Sequence, residues 1–205
     1  MNFDLRGKKS TTLHAIILGV FSTAFGALLA FTDILTADEI ALRMAEDLQA
    51  SLVQVIPPAI HDNNPVKDSI TLKEGAKDLI VYRALKDGKV TGVAYEIAGN
   101  GYAGEIKLIL GVDAEGKILG VRATAFKETP GLGDKIDAKK SDWITRFNGL
   151  SMGNPPREKW AVKKDGGQFD QFSGATITPR AVVTAIRKGL DVFDHNKARI
   201  LEVRS

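Results

Sequence analysis

The first pattern along the chain is an apolar run without charge. From Ser10 to Thr32 there is no formally charged residue, with His14 counted as neutral, and Leu13, Ile16, Ile17, Leu18, Val20, Phe21, Phe25, Leu28, Leu29 and Phe31 carry the apolar surface. At about 1.5 Å per residue this stretch, as a helix, spans about 34 Å, enough for a hydrocarbon core of about 30 Å. Arg6, Lys8 and Lys9 precede it, and Asp33, Asp38 and Glu39 come after it. The positive-inside rule then places residues 1–9 in the cytoplasm, a transmembrane helix over 10–34, and the rest across the membrane. A cleaved signal peptide with Leu35-Thr36-Ala37 at its exit is the competing reading; the long apolar stretch favours a retained anchor, and both readings export the remainder of the chain. Two ridges of small residues, Ala15-Gly19-Thr23-Ala27 and Ser22-Gly26-Ala30, suit close approach of another helix.

After the run the period changes. Thr36 with Glu39 has the spacing of a capping box. Ile40, Met44, Leu48, Leu52 and Ile56 then recur every four residues until Pro57-Pro58. This predicts a membrane-proximal helix over 35–58. Residues 59–205 read as one domain. Leu79 to Ala84 and Val90 to Ala98 flank Asp87-Gly88, a hairpin signal. Ile106, Leu108 and Leu110 lead through Asp113-Ala114-Glu115-Gly116 to Ile118–Ala125, a second hairpin. Ser141 is placed to cap a short helix with Trp143, Ile144 and Phe147 on its apolar side. Trp160 to Lys163 reads as a further strand. Thr178 as N-cap, with Pro179 at the first helical position, opens a closing helix whose stripe is Val182, Val183, Ile186, Leu190 and Phe193. Hairpins with packed helices give an α+β fold built on antiparallel strands.

Composition narrows the chemistry. The chain has 205 residues, 44% hydrophobic and 26% charged, with a formal net charge of +3, no cysteine and three histidines. Without cysteine there are no disulfides, iron–sulfur clusters, thiolate zinc sites or cysteine nucleophiles. His14, His61 and His195 lie far apart, which argues against a histidine metal site or a Ser-His-Asp apparatus. No metal site and no catalytic group is assigned. The mild charge, without a long basic run, gives nucleic-acid binding little support.

Three segments contain candidate chemistry. Gly99-Asn100-Gly101-Tyr102-Ala103-Gly104 matches G-x-G-x-x-G, but the dinucleotide fingerprint needs a helix directly after it, and Glu105 to Val112 alternate like a strand. NAD binding is therefore rejected here. In Glu128-Thr129-Pro130-Gly131-Leu132-Gly133-Asp134, the proline and glycines allow bare amides to approach a planar ligand, with Leu132 as apolar cover; a tight turn is the plain structural reading. In Asp170-Gln171-Phe172-Ser173-Gly174-Ala175-Thr176-Ile177-Thr178-Pro179, small and hydroxylated residues stand just before a helix start. There, free amides and the helix dipole favour a phosphate. Chain turning and capping by Ser173, Thr176 and Thr178 is the alternative.

Asp170-x-x-Ser173-Gly174-Ala175-Thr176 resembles the flavinylation motif of FMN-binding domains modified by a periplasmic flavin transferase. With Glu128 to Gly133, Gly101-Tyr102-Ala103-Gly104 before its strand, and the N-terminal anchor, the chain resembles the G-subunit family of Rnf electron-transport complexes. Gly133-Asp134-Lys135-Ile136, Ser141-Asp142-Trp143-Ile144 and Trp160 to Gly167 favour that family over the similar C subunit of the sodium-translocating NADH:quinone reductase. The resemblance is strongest from Gly101 to Leu190 and weakest from Ala37 to Leu85. It implies FMN joined to the Thr176 oxygen by a phosphoester, transferred from FAD by a magnesium-dependent transferase that needs Asp170. It also implies that Ser173, Gly174 and Ala175 shape the access loop, and that Thr129, Gly131, Leu132 and Gly133 contact the isoalloxazine ring with Glu128 nearby.

The expected protein is a single-pass protein of the bacterial inner membrane. Its periplasmic FMN domain is a redox subunit of an ion-translocating ferredoxin:NAD oxidoreductase, inactive alone, with the other subunits of the complex as partners. Leu132 and Phe172 are the expected apolar covers of the ring, and Trp143 is placed in the core. Two other readings stay open on sequence alone. One is an exported covalent-flavin carrier or sensor docked to a different membrane reductase. The other is a cofactor-free structural or binding domain.

Overall fold

The structure, a computed structural model, describes residues 5–74 and 77–203, with the side chains of 5–11, 74 and 77 outside that description. The expected cytoplasmic segment 1–9 lies partly outside the described residues, as do the side chains of Arg6, Lys8 and Lys9. The chain divides into two units, Met1–Asp47 and Leu48–Ser205.

The first unit is helical. Helix α1 covers Leu5–Val55 without interruption. Its stretch from Thr12 onward is long and apolar enough to cross a membrane by length and composition. The apolar side chains from Leu13 to Leu35 are all exposed within the protein itself. The hydroxyls of Thr23, Thr32 and Thr36 donate to the carbonyls of Gly19, Leu28 and Thr32, at 2.8, 2.8 and 2.9 Å. Such bonds satisfy hydroxyls inside the helix, as an apolar solvent requires. Thr36 is thus not a cap, and no separate helix starts there. Between Gly26 and Pro57 the sequence holds neither glycine nor proline, so nothing breaks the helix.

The second unit starts with the last turns of α1. Leu52, Val55 and Ile56 are buried with Ala84, Ala94 and Ile109 on one face of a sheet. Gly111 and Gly120 let the helix end settle there: a Cβ on Gly120 would lie 3.0 Å from the Val55 Cα, and one on Gly111 would meet the Val55 carbonyl.

The sheet is a five-stranded antiparallel meander in sequence order: β1 (Ser69–Glu74), β2 (Lys77–Lys86), β3 (Lys89–Asn100), β4 (Glu105–Asp113) and β5 (Ile118–Ala125). Both expected hairpins are present. Asp87 and Gly88, at φ 51° and 72°, form the turn whose twist matches that of the strands it joins. In the second turn the Asp113 carboxylate accepts from Glu115 and Lys117 N–H at 3.0 and 2.8 Å. β1 has no counterpart among the expected elements.

Helix α2 (Ile177–Leu201) covers the other face, and Val182, Val183, Ile186, Leu190 and Phe193 are essentially fully buried. The Tyr95 hydroxyl donates to the Gly189 carbonyl at 2.9 Å and ties β3 to α2.

One expectation between β5 and α2 is met and one changes. Trp143–Phe147 is the expected short helix, of the 3-10 kind, with Trp143, Ile144 and Phe147 buried and the Ser141 hydroxyl accepting from Trp143 N–H at 3.2 Å. Trp160 to Lys163 is not a strand. The chain runs through 3-10 turns at Arg157–Lys159 and Lys163–Asp165, and Val162 makes one isolated bridge, to Phe169. The alternation of Trp160 and Val162 reports burial in an aromatic cluster instead. Trp160 and Phe169 rings stand 5.1 Å apart, and Phe147 and Phe169 rings 4.7 Å apart.

Candidate functional site

The site begins where α2 begins. Thr176 occupies the N-cap position, with its backbone already in the helical region and its hydroxyl capping no backbone group. Arg180 N–H donates to the Thr176 carbonyl at 3.3 Å. The helix therefore opens two residues earlier than expected, and Thr178 and Pro179 lie in its first turn. Proline fits there because the N–H it lacks has no partner in a first turn. Thr178, fully buried, donates its hydroxyl to the Glu128 carboxylate instead.

Glu128 is 5% exposed. Besides the Thr178 hydroxyl it accepts from Ala103 N–H at 3.1 Å and from Tyr102 N–H at 3.4 Å. It thus joins three segments: the tight turn 101–104, the loop 128–134 and the start of α2. The glycines around it have a physical reason. A Cβ on Gly133 would lie 2.9 Å from the Glu128 Cβ and 2.8 Å from the Thr178 hydroxyl, and one on Gly101 would meet the carboxylate itself. The rejected G-x-G-x-x-G stretch is a strand junction, since β4 starts at Glu105. Its Gly99 sits against α2, where a Cβ would lie 2.7 Å from the Ala181 carbonyl.

The loop 128–134 is folded on itself. The Thr129 carbonyl accepts from Leu132 and Gly133 N–H, both at 3.1 Å, and Gly131 takes φ 78°. Between the three segments lies a cavity of about 530 Å³. Glu128, Thr129, Leu132 and Gly133 line one side, and Gly174, Ala175 and Thr176 another. Tyr102, Ile177 and Thr178 complete the lining and were not singled out as site residues from the sequence. Ile177 carried a signal: it is apolar, directly follows the motif and falls outside the buried stripe of α2. Gly131 and Ser173 are exposed and are not part of the lining. Phe172 does not cover the cavity. It is buried against Trp143, the rings 5.0 Å apart, which leaves Leu132, Ile177 and Tyr102 as the apolar surface.

Asp170 stands apart from the lining. Its half-exposed carboxylate meets Lys163 at 2.5 Å and Arg146 at 3.4 Å. The hydrogen bond from Lys163 holds its carboxyl below the ordinary value, with Arg146 adding to the effect. Trp143 Nε1–H donates to the Asp170 carbonyl at 2.9 Å, so the segment leading to Thr176 is anchored to the aromatic core.

The arrangement suits a phosphorylated planar ligand. The cavity is of the size that encloses a small cofactor. A hydroxyl engaged in no cap stands at a helix N-terminus, where the dipole and bare amides favour a phosphate. Apolar side chains from three segments flank the space. Among the described residues no group of three or more His, Asp or Glu could hold a metal ion.

The FMN-binding domain family matches residues 101–191, and the RnfG N-terminal region matches residues 1–55. The G subunit of the ion-translocating oxidoreductase complex of Cereibacter sphaeroides is 48% identical over 195 residues, covering 95% of this chain and 89% of the relative. The corresponding G subunit of Vibrio cholerae is 46% identical over 193 residues, 91% of this chain and 92% of the relative. That of Stutzerimonas stutzeri is 43% identical over 185 residues, 90% and 81%. Among solved structures, NqrC of Shewanella oneidensis aligns at a TM-score of 0.49 with 23% identity, covering 73% of each chain.

Proposed function

Since the chain belongs to the G-subunit family of ion-translocating oxidoreductase complexes and contains an FMN-binding domain, we propose that it carries electrons within such a complex through FMN esterified to the Thr176 oxygen. The observation that carries this reading is the unengaged Thr176 hydroxyl at the head of α2, lining a cavity of about 530 Å³.

The flavin supplies the redox chemistry when bound, and the chain's residues hold and tune it. The amides of the first turn of α2 and its dipole receive the phosphate. Leu132, Ile177 and Tyr102 shield the ring edges, Thr129 and Gly133 bring backbone close to it, and Ser173 and Gly131 shape the access loops outside the cavity. Threonine is a weak nucleophile without a base. His61 and His195 engage the carbonyls of Asn63 and Asp191 and do not line the cavity. A separate transferase therefore does the attachment: it takes the proton from Thr176, the FMN phosphorus of FAD is bonded to that oxygen, and AMP leaves. Asp170 belongs to what the transferase recognises.

Residues 1–9 lie on the cytoplasmic side, 10–34 cross the inner membrane, 35–58 lead away from it, and 59–205 form the periplasmic flavin domain. Other subunits of the complex supply electron input, output and the ion path.

The test is the full chain made with and without a flavin transferase. Flavin fluorescence that survives denaturation, and the mass of FMN on the Thr176 peptide, are expected only with the transferase. Thr176→Val, which keeps size and removes the hydroxyl, is expected to abolish the covalent signal. Retention of covalent flavin in that variant overturns the assignment, and a colourless wild type made with the transferase favours a cofactor-free domain.

A further inference from the structure

Glu128 differs from every other well-buried acid in the domain. Asp134, its side chain 5% exposed, pairs with Lys140 at 2.6 Å, and Asp191, 22% exposed, pairs with Arg157. Glu128 is as buried as Asp134, yet it forms no ion pair among the described residues. Its three partners are Tyr102 N–H, Ala103 N–H and the Thr178 hydroxyl, all donors. Its charge is thus balanced by dipoles alone, and it lines the same cavity as Thr176.

Joining three chain segments does not require a charge, since a neutral amide or hydroxyl accepts from amides as well. The fold reserves space for a side chain of this size on two sides, at Gly101 and Gly133. A fixed negative charge that is itself 5% exposed is screened less than a surface charge and acts on any charge that arrives beside it. Reduction brings negative charge onto a flavin ring. A protein group of like sign beside it disfavours the reduced form.

We infer that Glu128 sets the reduction potential of the flavin carried on Thr176, holding it lower than a neutral residue would, while Thr178 moderates that charge by donating to it. This rests on the reading that Thr176 carries FMN. Glu128 acts here through its field on the ring, so the potential is the readout that a merely structural role does not predict.

The test uses the full chain in detergent, made with the transferase, as wild type, Glu128→Gln and Thr178→Val. Covalent fluorescence on a denaturing gel reports loading, and a redox titration followed by flavin absorbance reports the potential. Glu128→Gln is expected to move the potential upward, by about tenfold in the ratio of reduced to oxidised flavin at fixed solution potential, about 30 mV for a two-electron couple. Thr178→Val keeps the charge and removes one donor, so its potential is expected below that of wild type. A mere loosening of the site moves both variants in the same direction, and that result overturns the inference, as does an unchanged or lower potential in Glu128→Gln. Should Glu128→Gln fail to load, Thr178→Val decides: at or above wild type refutes, below supports. If neither loads, the carboxylate only builds the site and the inference falls. A wild type without covalent flavin refutes the Thr176 reading instead.

Discussion

The two acidic residues assigned to the site, Glu128 and Asp170, are held by opposite means. On the cavity floor, Glu128 is 5% exposed and held by two amides and a hydroxyl. Outside the cavity lining, on a solvent-facing rim, Asp170 has a side chain 49% exposed and is held by two cations. The floor is built from directional bonds between segments distant in sequence, each costly to leave unmade once buried. The rim is built from solvent-screened charge pairs, which contribute little to stability. The floor therefore fixes geometry, whereas the rim stays exposed to solvent.

The largest expected effect is on the floor. Glu128→Ala leaves a buried hydroxyl and two part-buried amides without their acceptor, and stability is expected to fall by about 3 kcal/mol, with covalent loading lost. Chemical denaturation checks this, and a change well under 1 kcal/mol shows that the floor is not clamped. Gly133→Ala drives a methyl group to 2.8 Å from the Thr178 hydroxyl. It is expected to cost about 2 kcal/mol in the same measurement. Trp143→Phe keeps the ring packing against Phe172 and removes the bond to the Asp170 carbonyl. Its expected loss is about 1 kcal/mol, and a larger one makes that bond part of the floor rather than of the rim.

Asp170→Asn tests the rim directly. The thermal midpoint is expected to stay close to wild type, while flavin loaded per protein by the transferase falls several-fold. Loading that equals wild type removes Asp170 from recognition. The smallest effect is that of acid. Lys163 holds the Asp170 carboxyl below its ordinary value, and Arg180 does the same for Asp165. A depressed folded value contributes stability above the unfolded value of about 3.9 that is lost as pH falls through the folded value. The thermal midpoint is thus expected to be flat from neutral pH to about 4, then to fall, with a smaller loss at high salt. A midpoint that rises on acidification shows that these pairs do not stabilise the fold.

How much could be read in advance differs along the chain. The apolar run, the two hairpin turns and the stripe from Val182 to Phe193 were readable because each is a repeat or turn within a few residues. The motif ending at Thr176 was readable because it is contiguous. Thr36 was misread because the capping-box spacing also occurs inside a helix, where the hydroxyl turns back to the preceding carbonyl. Trp160 to Lys163 was misread because alternation reports burial, and burial there is against aromatic rings rather than a neighbouring strand.

Thr178 shows the limit most clearly. Its sequence neighbourhood describes a good N-cap, but its hydroxyl is claimed by an acid 50 positions away. By itself the sequence determined the membrane-length helix, the antiparallel hairpins and the amphipathic closing helix, because periodicity and turn chemistry act over a few residues. Tertiary structure alone decided that Glu128 forms the floor, that Thr178 serves it and that Thr176 is left uncommitted. Those outcomes depend on which donors meet one buried acceptor, and that is settled only when segments 25 and 50 residues apart are packed together.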